Sequence, residues 1–412
     1  MGDVLVYKEK SDTFLPDKAF RSSFAILRIE AIRQVGGNIV VFEEEKPNSV
    51  RCNRPLLEGI GDENNILTAS LLQIPIEDER EFLKGKVLKV WCFGVWRRFH
   101  CKFFNSMIDE KLDRAEGGLA GSGSRYLCTL CTATRESSKS ELGSFTINRT
   151  YCMTSAIADY IRVNPDKLSK AELDGLSLGV KQRPLLKSDA EAKLLDATHA
   201  DINLGIFFKK IIVREIAAVQ KWELTEDIKG LVEHAEHKFD AHIRKHVGSA
   251  PQLMMPGNYS RQLFAEKNAN VILALIPSEE RREHLAIIME KFRLLRSVYR
   301  AHSPRVTHAR ELRQYKVVAV QMGRELISHF DYVPWPNYLH KVIEHPQEII
   351  ENEDGPGSVG AISGEGNEAS NKLFRHMRKN LSRKGKVIHG LRDVLWLHWL
   401  YSSPKLIRLS KV

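Results

Sequence analysis

With 412 residues, 43% of them apolar, the chain has enough apolar sequence for two or three buried cores, which excludes a fibrous or wholly disordered protein. No run approaches the roughly eighteen uncharged apolar residues of a membrane span, and MGDVLVYKEK lacks an apolar signal core, so the expectation is a soluble, non-secreted protein with no membrane contact. The net charge of +10 sits at one end: residues 371–412 hold eleven Lys and Arg against the single acid Asp393, leaving 51 of each sign elsewhere.

In chain order, FAILRI (Phe24 to Ile29), a turn at VGGN and NIVVF (Asn38 to Phe42) read as a β-hairpin. A helical pattern from Glu63 to Leu83, interrupted at Pro75, leads into two strand-like runs, Lys86 to Phe93 and Arg97 to Phe104. Asp109 follows five residues later. This order is compatible with an RNase H-like sheet, whose metal-binding acids cluster at strand ends. From Pro165 to about Ser328 the pattern turns helical. Ile202, Ile206, Ile212, Ile216 and Val219 share one side of a helix over Asp201–Trp222, and Leu285, Ile288, Met289, Phe292 and Leu295 share one side of another over Ser278–Tyr299. Breaks fall at PGN (256–258) and PWPN (334–337), and the longest flexible stretch is 354–366.

Six cysteines (Cys52, Cys92, Cys101, Cys128, Cys131, Cys152) are too sparse for a disulfide scaffold and point to a reducing compartment. Cys128 and Cys131 form a C-x2-C pair, and His340 and His345 an H-x4-H pair. Two Cys and two His suit a tetrahedral zinc site, but so wide a separation does not resemble a local finger. A buried thiol pair with two unrelated histidines stands as the other reading. Positions i and i+5 diverge on a helix, and Pro346, by disfavouring helix at His345, would free that side chain to turn.

Glu368 follows the Gly-rich stretch and opens a helix carrying Lys372, Arg375, Arg378 and Lys379. A carboxylate followed by a train of cations suits a divalent ion beside a phosphodiester. A helix-start Glu favoured by the macrodipole explains the same residue. The basic C-terminal end suits a polyanion-binding surface or a solubilising tail, and the interleaved Phe374, Leu381, Val394, Leu395, Trp396 and Trp399 argue that it folds.

Several long strings together resemble the catalytic core of the V(D)J recombination-activating protein 1 family and its Transib-type transposase relatives. They are VFEEEKPNS, GDENNILTA, DEKLDRAEGGLAGSGSRYLCTLC, THADINLG, IPSEERREHL, YLHKVIEHPQEIIE, GEGNEASNKLFRHMRKN and DVLWLHWLY, in the family's order over nearly the whole chain. The resemblance implies an α+β protein: an RNase H-like domain interrupted by a large, mostly helical zinc-binding insertion, with a basic helical C-terminal region. The expected boundaries are 1–127, 128–350 and 351–412.

Carried over, Asp109 in IDEKL is the second catalytic Asp, Glu368 in GNEAS the final Glu, and Glu63 in GDEN a further acid near the site. Asp109 and Glu368 would hold Mg²⁺ or Mn²⁺. Cys128, Cys131, His340 and His345 would share one Zn²⁺, and His199 in THAD would lie near the active site. Arg375, Arg378, Lys379, Arg383 and Lys384, with Lys372, are the expected phosphate contacts.

The implied function is two-metal nicking and hairpin-forming cleavage of double-stranded DNA beside recombination signals or terminal inverted repeats, in the nucleus. A homodimer and an accessory subunit resembling recombination-activating protein 2 are the implied protein partners.

One departure stands at the front. The family's first catalytic Asp precedes a Met in a D-G-M-G-D pattern, and the sequence starts at that Met, with Asp3 matching the later Asp. The expectation is therefore an N-terminally truncated form, and whether it is an enzyme is left open. The alternative function is a catalytically inactive DNA-binding or partner-binding fragment. Val50 and Met254 stand where the vertebrate recombinase has charged residues, which leans toward the invertebrate, transposon-like branch.

Overall fold

The computed structural model describes residues 22–30, 34–41, 54–59, 87–92, 95–100, 105–106, 110–164, 169–184, 195–223, 225–246, 257–353, 357–363, 365–383 and 387–401. Two compact units divide the chain: Met1–Gly118, Arg183–Asp196 and Ala361–Val412 form unit 1, and Leu119–Gln182 with Ala197–Gly360 form unit 2.

Unit 1 holds the strands. β1 (Ser22–Glu30), β2 (Gln34–Val41), β3 (Arg54–Gly59) and β6 (Asn105–Ser106) make one sheet in the order β3-β2-β1-β6, while β4 (Val87–Cys92) and β5 (Val95–His100) form a separate antiparallel pair. β1 runs antiparallel to β2, with Phe24 opposite Ile39, and parallel to β6, with Phe24 opposite Asn105. The expected turn at VGGN is corrected. Pairing of Glu30 with Gln34 closes the hairpin between β1 and β2, so Val35 to Asn38 lie inside β2. The glycines mark an irregular strand instead, where the β2–β3 register shifts between Gly37 and Asn38. The helix expected over Glu63–Leu83 lies outside the described residues.

Helix α1 (Glu110–Glu116) follows β6, and α14 (Glu365–Asn380) and α15 (Val387–Tyr401) close the chain. α14 and α15 pack through Phe374, Met377 and Val394, with Leu373 and Leu397 at the edge.

Unit 2 is helical: α2 (Ser137–Ser140), α3 (Tyr151–Val163), α4 (Lys170–Ser177), α5 (Ala197–Ile216), α6 (Glu226–His246), α7 (Gly257–Leu263), α8 (Glu266–Leu273), α9 (Glu279–Tyr299), α10 (Pro304–Thr307), α11 (Ala309–Phe330), α12 (Asn337–Glu344) and α13 (Pro346–Glu351). Leu285, Ile288, Met289, Phe292 and Leu295 are fully buried along α9, as their spacing predicts. On α5 the stripe holds in part: Ile212 and, beyond the helix end at Ile216, Val219 are buried, whereas Ile202, Ile206 and Ile216 are half-buried and Leu204, Phe208 and Ile211 are fully buried instead. The cause is that α5 is packed by α6, α7 and α12 on several sides, so its core face is wider than one apolar stripe. Phe208 meets Phe264 and Phe292 at ring separations of 5.4 and 5.3 Å. Gly205 permits this approach, because a Cβ there would lie 2.4 Å from Ser260 Oγ.

At the centre sits a buried charge. Asp201 accepts hydrogen bonds from Arg296 Nη2 at 2.8 Å, Arg300 Nη1 at 2.8 Å and the Tyr299 hydroxyl at 2.6 Å, tying α5 to α9. Burial, then the Asp201 charge, pushes the Tyr299 phenol well above its ordinary range, so it stays a donor. Removing one member of a buried ionic group strands the rest without compensation. Asp201→Ala is therefore expected to destabilise the protein by about 3–5 kcal/mol in urea denaturation. A loss under about 1 kcal/mol would show that solvent reaches the two arginines freely.

Candidate metal centre

Four buried side chains from two distant stretches of unit 2 converge. Cys128 and Cys131 sit on a tight knuckle, closed by a bond from Leu127 N to Ala133 O and by a bridge between Tyr126 and Thr134. The Leu130 amide donates to Cys128 Sγ at 3.3 Å, aiming that sulfur inward. His340 lies on α12 and His345 at its C-terminal end, where the His345 amide still bonds Lys341 O. Pro346 begins α13 at that point. His345 thus keeps a helical backbone (φ −109°, ψ −24°), contrary to the expectation that Pro346 would free it from helix, and its side chain still reaches the same cluster as that of His340 five residues earlier.

Both histidines point Nε2 into the cluster. His345 Nε2 lies 3.5 Å from Cys128 Sγ, and His340 Nε2 lies 3.2 Å from Cys131 Sγ. The four ligand atoms are all within 4.8 Å of one another, and all four residues are buried. A tetrahedral ion with bonds of about 2.3 Å to sulfur and about 2.0 Å to nitrogen needs ligand separations of this order. The donor set fits a borderline-soft dication such as zinc, and no fifth donor is present among the described residues.

The thiols are electrostatically primed. Burial raises the Cys128 thiol, but the hydrogen bond from Cys131 and the neighbouring His345 and His340 outweigh it and hold Cys128 well below the ordinary thiol range. Cys131 is pushed far up, first by its bond to Cys128 and then by burial. A bound dication needs its sulfur ligands deprotonated, and the lowered Cys128 thiol favours that form.

The surroundings explain how the pieces are held. The fully buried Glu344 carboxylate accepts from the Gly143 amide at 2.8 Å and the Phe145 amide at 3.3 Å, and contacts Lys316 of α11. Glu348 accepts from the Ile147 amide at 2.9 Å and lies 4.0 Å from His345 Nδ1. Arg149 donates to Cys131 O at 2.8 Å and to Leu178 O at 2.7 Å. Gly143 has φ +91°, and a Cβ there would meet Val320 of α11 at 2.9 Å, so the strand of backbone clamped by the two carboxylates requires glycine. Sequence reasoning missed Glu344, Glu348, Arg149 and Lys316. The signal available was the bracketing of His345 by Glu344 and Glu348 in EHPQE.

The other site residues are placed as follows. Glu368 lies in the first turn of α14, whose described side chains include exposed Arg375, Arg378 and Lys379. The side chains of Glu368, Lys372 and Lys384 lie outside the described residues, as do Asp109 and Glu63 altogether. His199 is half-buried in the first turn of α5, where its carbonyl accepts from Asn203 Nδ2 at 2.8 Å. Arg383 is engaged by Asp393 through its guanidinium (2.6 Å) and its amide (2.9 Å), which depresses the Asp393 carboxyl to about 2.

Four family models match successive segments. They are the Recombination-activation protein 1 (RAG1) RNase H domain over residues 1–124, its ZnC2 domain over 126–188, its ZnH2 domain over 193–355 and its C-terminal domain over 365–412. The cysteine pair falls in the ZnC2 match and the histidine pair in the ZnH2 match. The chain is 36% identical to V(D)J recombination-activating protein 1 of Oryctolagus cuniculus and 34% identical to that of Xenopus laevis, in each case over 98% of this chain and 38% of the relative. It is 33% identical to the protein of Oncorhynchus mykiss over 98% of this chain and 37% of the relative. The chain thus spans less than two fifths of the length of these curated relatives.

Titrating Co²⁺ into metal-stripped protein is expected to give the thiolate charge-transfer and intense visible bands of a tetrahedral two-sulfur, two-nitrogen site. Cys131→Ser should abolish those bands, and Cys152→Ser, on an exposed residue, should leave them unchanged. A six-coordinate spectrum, or bands that survive Cys131→Ser, would exclude the four-ligand centre.

Proposed function

The chain belongs to the recombination-activating protein 1 family, and from that membership we propose that it is the strand-cleaving core of a DNA recombinase or transposase. The observation that carries this reading is the shared cluster itself. Two ligands from the segment matching the ZnC2 domain and two from the segment matching the ZnH2 domain meet at one point, so these two matches share one cluster within unit 2.

In this reading the chain divides into an RNase H-like part (1–127), a helical zinc-binding insertion (128–350) and a catalytic-Glu helix with a basic C-terminal region (351–412). Zn²⁺ held by Cys128, Cys131, His340 and His345 has a structural role, because all four positions of a tetrahedron are filled by protein and none is left for substrate. The reaction belongs to Asp109 and Glu368, with Glu63 near them and His199 as a neighbour. Mg²⁺ or Mn²⁺ bound there would activate a water or a 3′-hydroxyl and stabilise the leaving oxygen.

What the chain's own residues contribute is charge placement. Helical spacing sets positions 368, 372, 375 and 379 on one side of α14, so a carboxylate at the start of the helix is followed by cations along the same side. Lys372, Arg375, Arg378, Lys379, Arg383 and Lys384 hold the DNA backbone without reading sequence. Nicking beside a recombination signal or terminal repeat, followed by attack on the opposite strand, leaves a hairpin on the flank. Double-stranded DNA in the nucleus is the substrate, and a second copy of the chain and an accessory subunit like recombination-activating protein 2 are the protein partners.

The test is Mn²⁺-supported nicking of a signal-bearing duplex by a chain extended through the family's Asp-Gly pair ahead of Met1. Asp109→Asn and Glu368→Gln should each lower the nicking rate by at least a hundredfold while DNA binding persists. Unchanged nicking in either variant sinks that residue's assignment. An extended chain that binds duplex DNA but never nicks supports a binding fragment instead.

A further inference from the structure

Helix α11 of unit 2 carries a second cationic surface that the catalytic reading does not use. Its exposed residues Arg310, Arg313, Gln314, Val317, Gln321, Arg324 and Ser328 are spaced by 3, 1, 3, 4, 3 and 4 positions, which puts them within an arc of about 100° on one face. There is no acid on this face. The acids of the helix are turned elsewhere: Glu311 is half-buried and Glu325 pairs with Lys291 of α9.

The neighbouring cations are engaged. Arg281 contacts Glu215, Arg293 contacts Glu290, Arg296 and Arg300 hold Asp201, Lys316 contacts Glu344, and Arg305 donates to the carbonyls of Ile350 and Asn352. Among the described residues, Arg310, Arg313 and Arg324 make no hydrogen bond or ion pair. Val317, at 60% exposure, is the one large apolar group on the strip. A strip of arginine and glutamine donors that the fold itself leaves unengaged, without a countercharge, complements an extended polyanion. From Arg310 to Arg324 it runs about 21 Å, the length of about six base-pair steps of a duplex. Arginine rather than lysine at all three positions suits forked contacts to phosphate oxygens.

We propose that this face of α11 is a backbone-binding surface for duplex DNA, carried by the helical insertion and separate in the chain from the cations of α14. It rests on the reading of the protein as one that acts on DNA, and adds where on unit 2 the duplex is gripped. The contact is to phosphates, so it contributes affinity and orientation and is indifferent to base sequence.

The measurement is binding of the full chain to a 30-base-pair duplex of arbitrary sequence by fluorescence anisotropy across a series of NaCl concentrations, for the parent and for R310A/R313A/R324A. Alanine suits an exposed helical face, and the triple Arg→Gln variant gives a second, equally uncharged version should the first fold poorly. The expected result is a plot of log K against log salt that is shallower by about 2 to 3, with binding at least tenfold weaker near 0.1 M salt. A folded variant with the slope and affinity of its parent overturns the proposal and leaves the face merely solvated. A parent that binds no duplex at all overturns this proposal and the DNA reading beneath it together, so the two failures are told apart.

Discussion

Everything in unit 2 depends on closing a very long loop at one buried point. The ligand pairs Cys131–His340 and Cys128–His345 are 209 and 217 residues apart in the chain. Bringing the ends of a chain this long together costs about 5 kcal/mol on the logarithmic scaling of loop entropy. A structural zinc ion contributes about 10–16 kcal/mol in small domains, which outweighs that cost. The protein does not leave closure to an ion alone. Glu344 and Glu348 take the amides of Gly143, Phe145 and Ile147, and Arg149 takes the carbonyl of Cys131, so the backbone on the cysteine side is already fixed to the histidine side. The ion would enter a site whose parts are already positioned by these bonds.

The same logic of buried carboxylates recurs along the helical core. Asp201 is held by Arg296 and Arg300, Glu215 by Arg281 and the Tyr332 hydroxyl, and Glu344 by Lys316. Each joins two helices, Asp201 and Glu215 across at least 66 residues of chain and Glu344 across the consecutive pair α11 and α12, with α9 and α11 as the recurring suppliers of cations. Burial, followed by the Glu215 hydrogen bond, pushes the Tyr332 phenol far up, so it too remains a donor. Such groups add little net stability over apolar packing, but they penalise any sliding of one helix against another, because a slipped register strands a charge. Apolar faces as wide as that of α5 would otherwise tolerate several registers.

How much of this was legible beforehand follows from how local each signal is. The apolar row of α9 was readable because a helix packed on one side shows its period directly, while α5, packed on several sides, followed the same rule only in part. The β1–β2 hairpin was visible, yet its turn was misplaced, because two adjacent glycines look like a turn whether they end a strand or bend one. Cys128, Cys131, His340 and His345 were identifiable as ligand types. Nothing in their spacing could say that they meet, since that is a property of the closed fold, and the family resemblance carried that step. Glu344 and Glu348 carry only one sequence signal, their bracketing of His345 in EHPQE, because among 52 acidic residues a carboxylate that accepts backbone amides has no pattern of its own.

Charge shows the limit of composition most clearly. By sequence, the surplus of +10 belongs to residues 371–412 and the rest of the chain is balanced. Balance in sequence is not balance at the surface. The helical unit spends acids such as Asp201, Glu215 and Glu344 internally, each neutralised by a cation whose own charge is thereby withdrawn from solvent. Such pairing withdraws cations as well as acids, so it is the placement of the remaining charges on each helix face, and not their sum, that sets the sign of any one exposed face. On the exposed face of α11 the remainder is arginine and glutamine, with the helix's own acids Glu311 and Glu325 off that face. An electroneutral stretch of sequence can therefore present a cationic strip, and the strip can be found only after the buried pairs have been assigned.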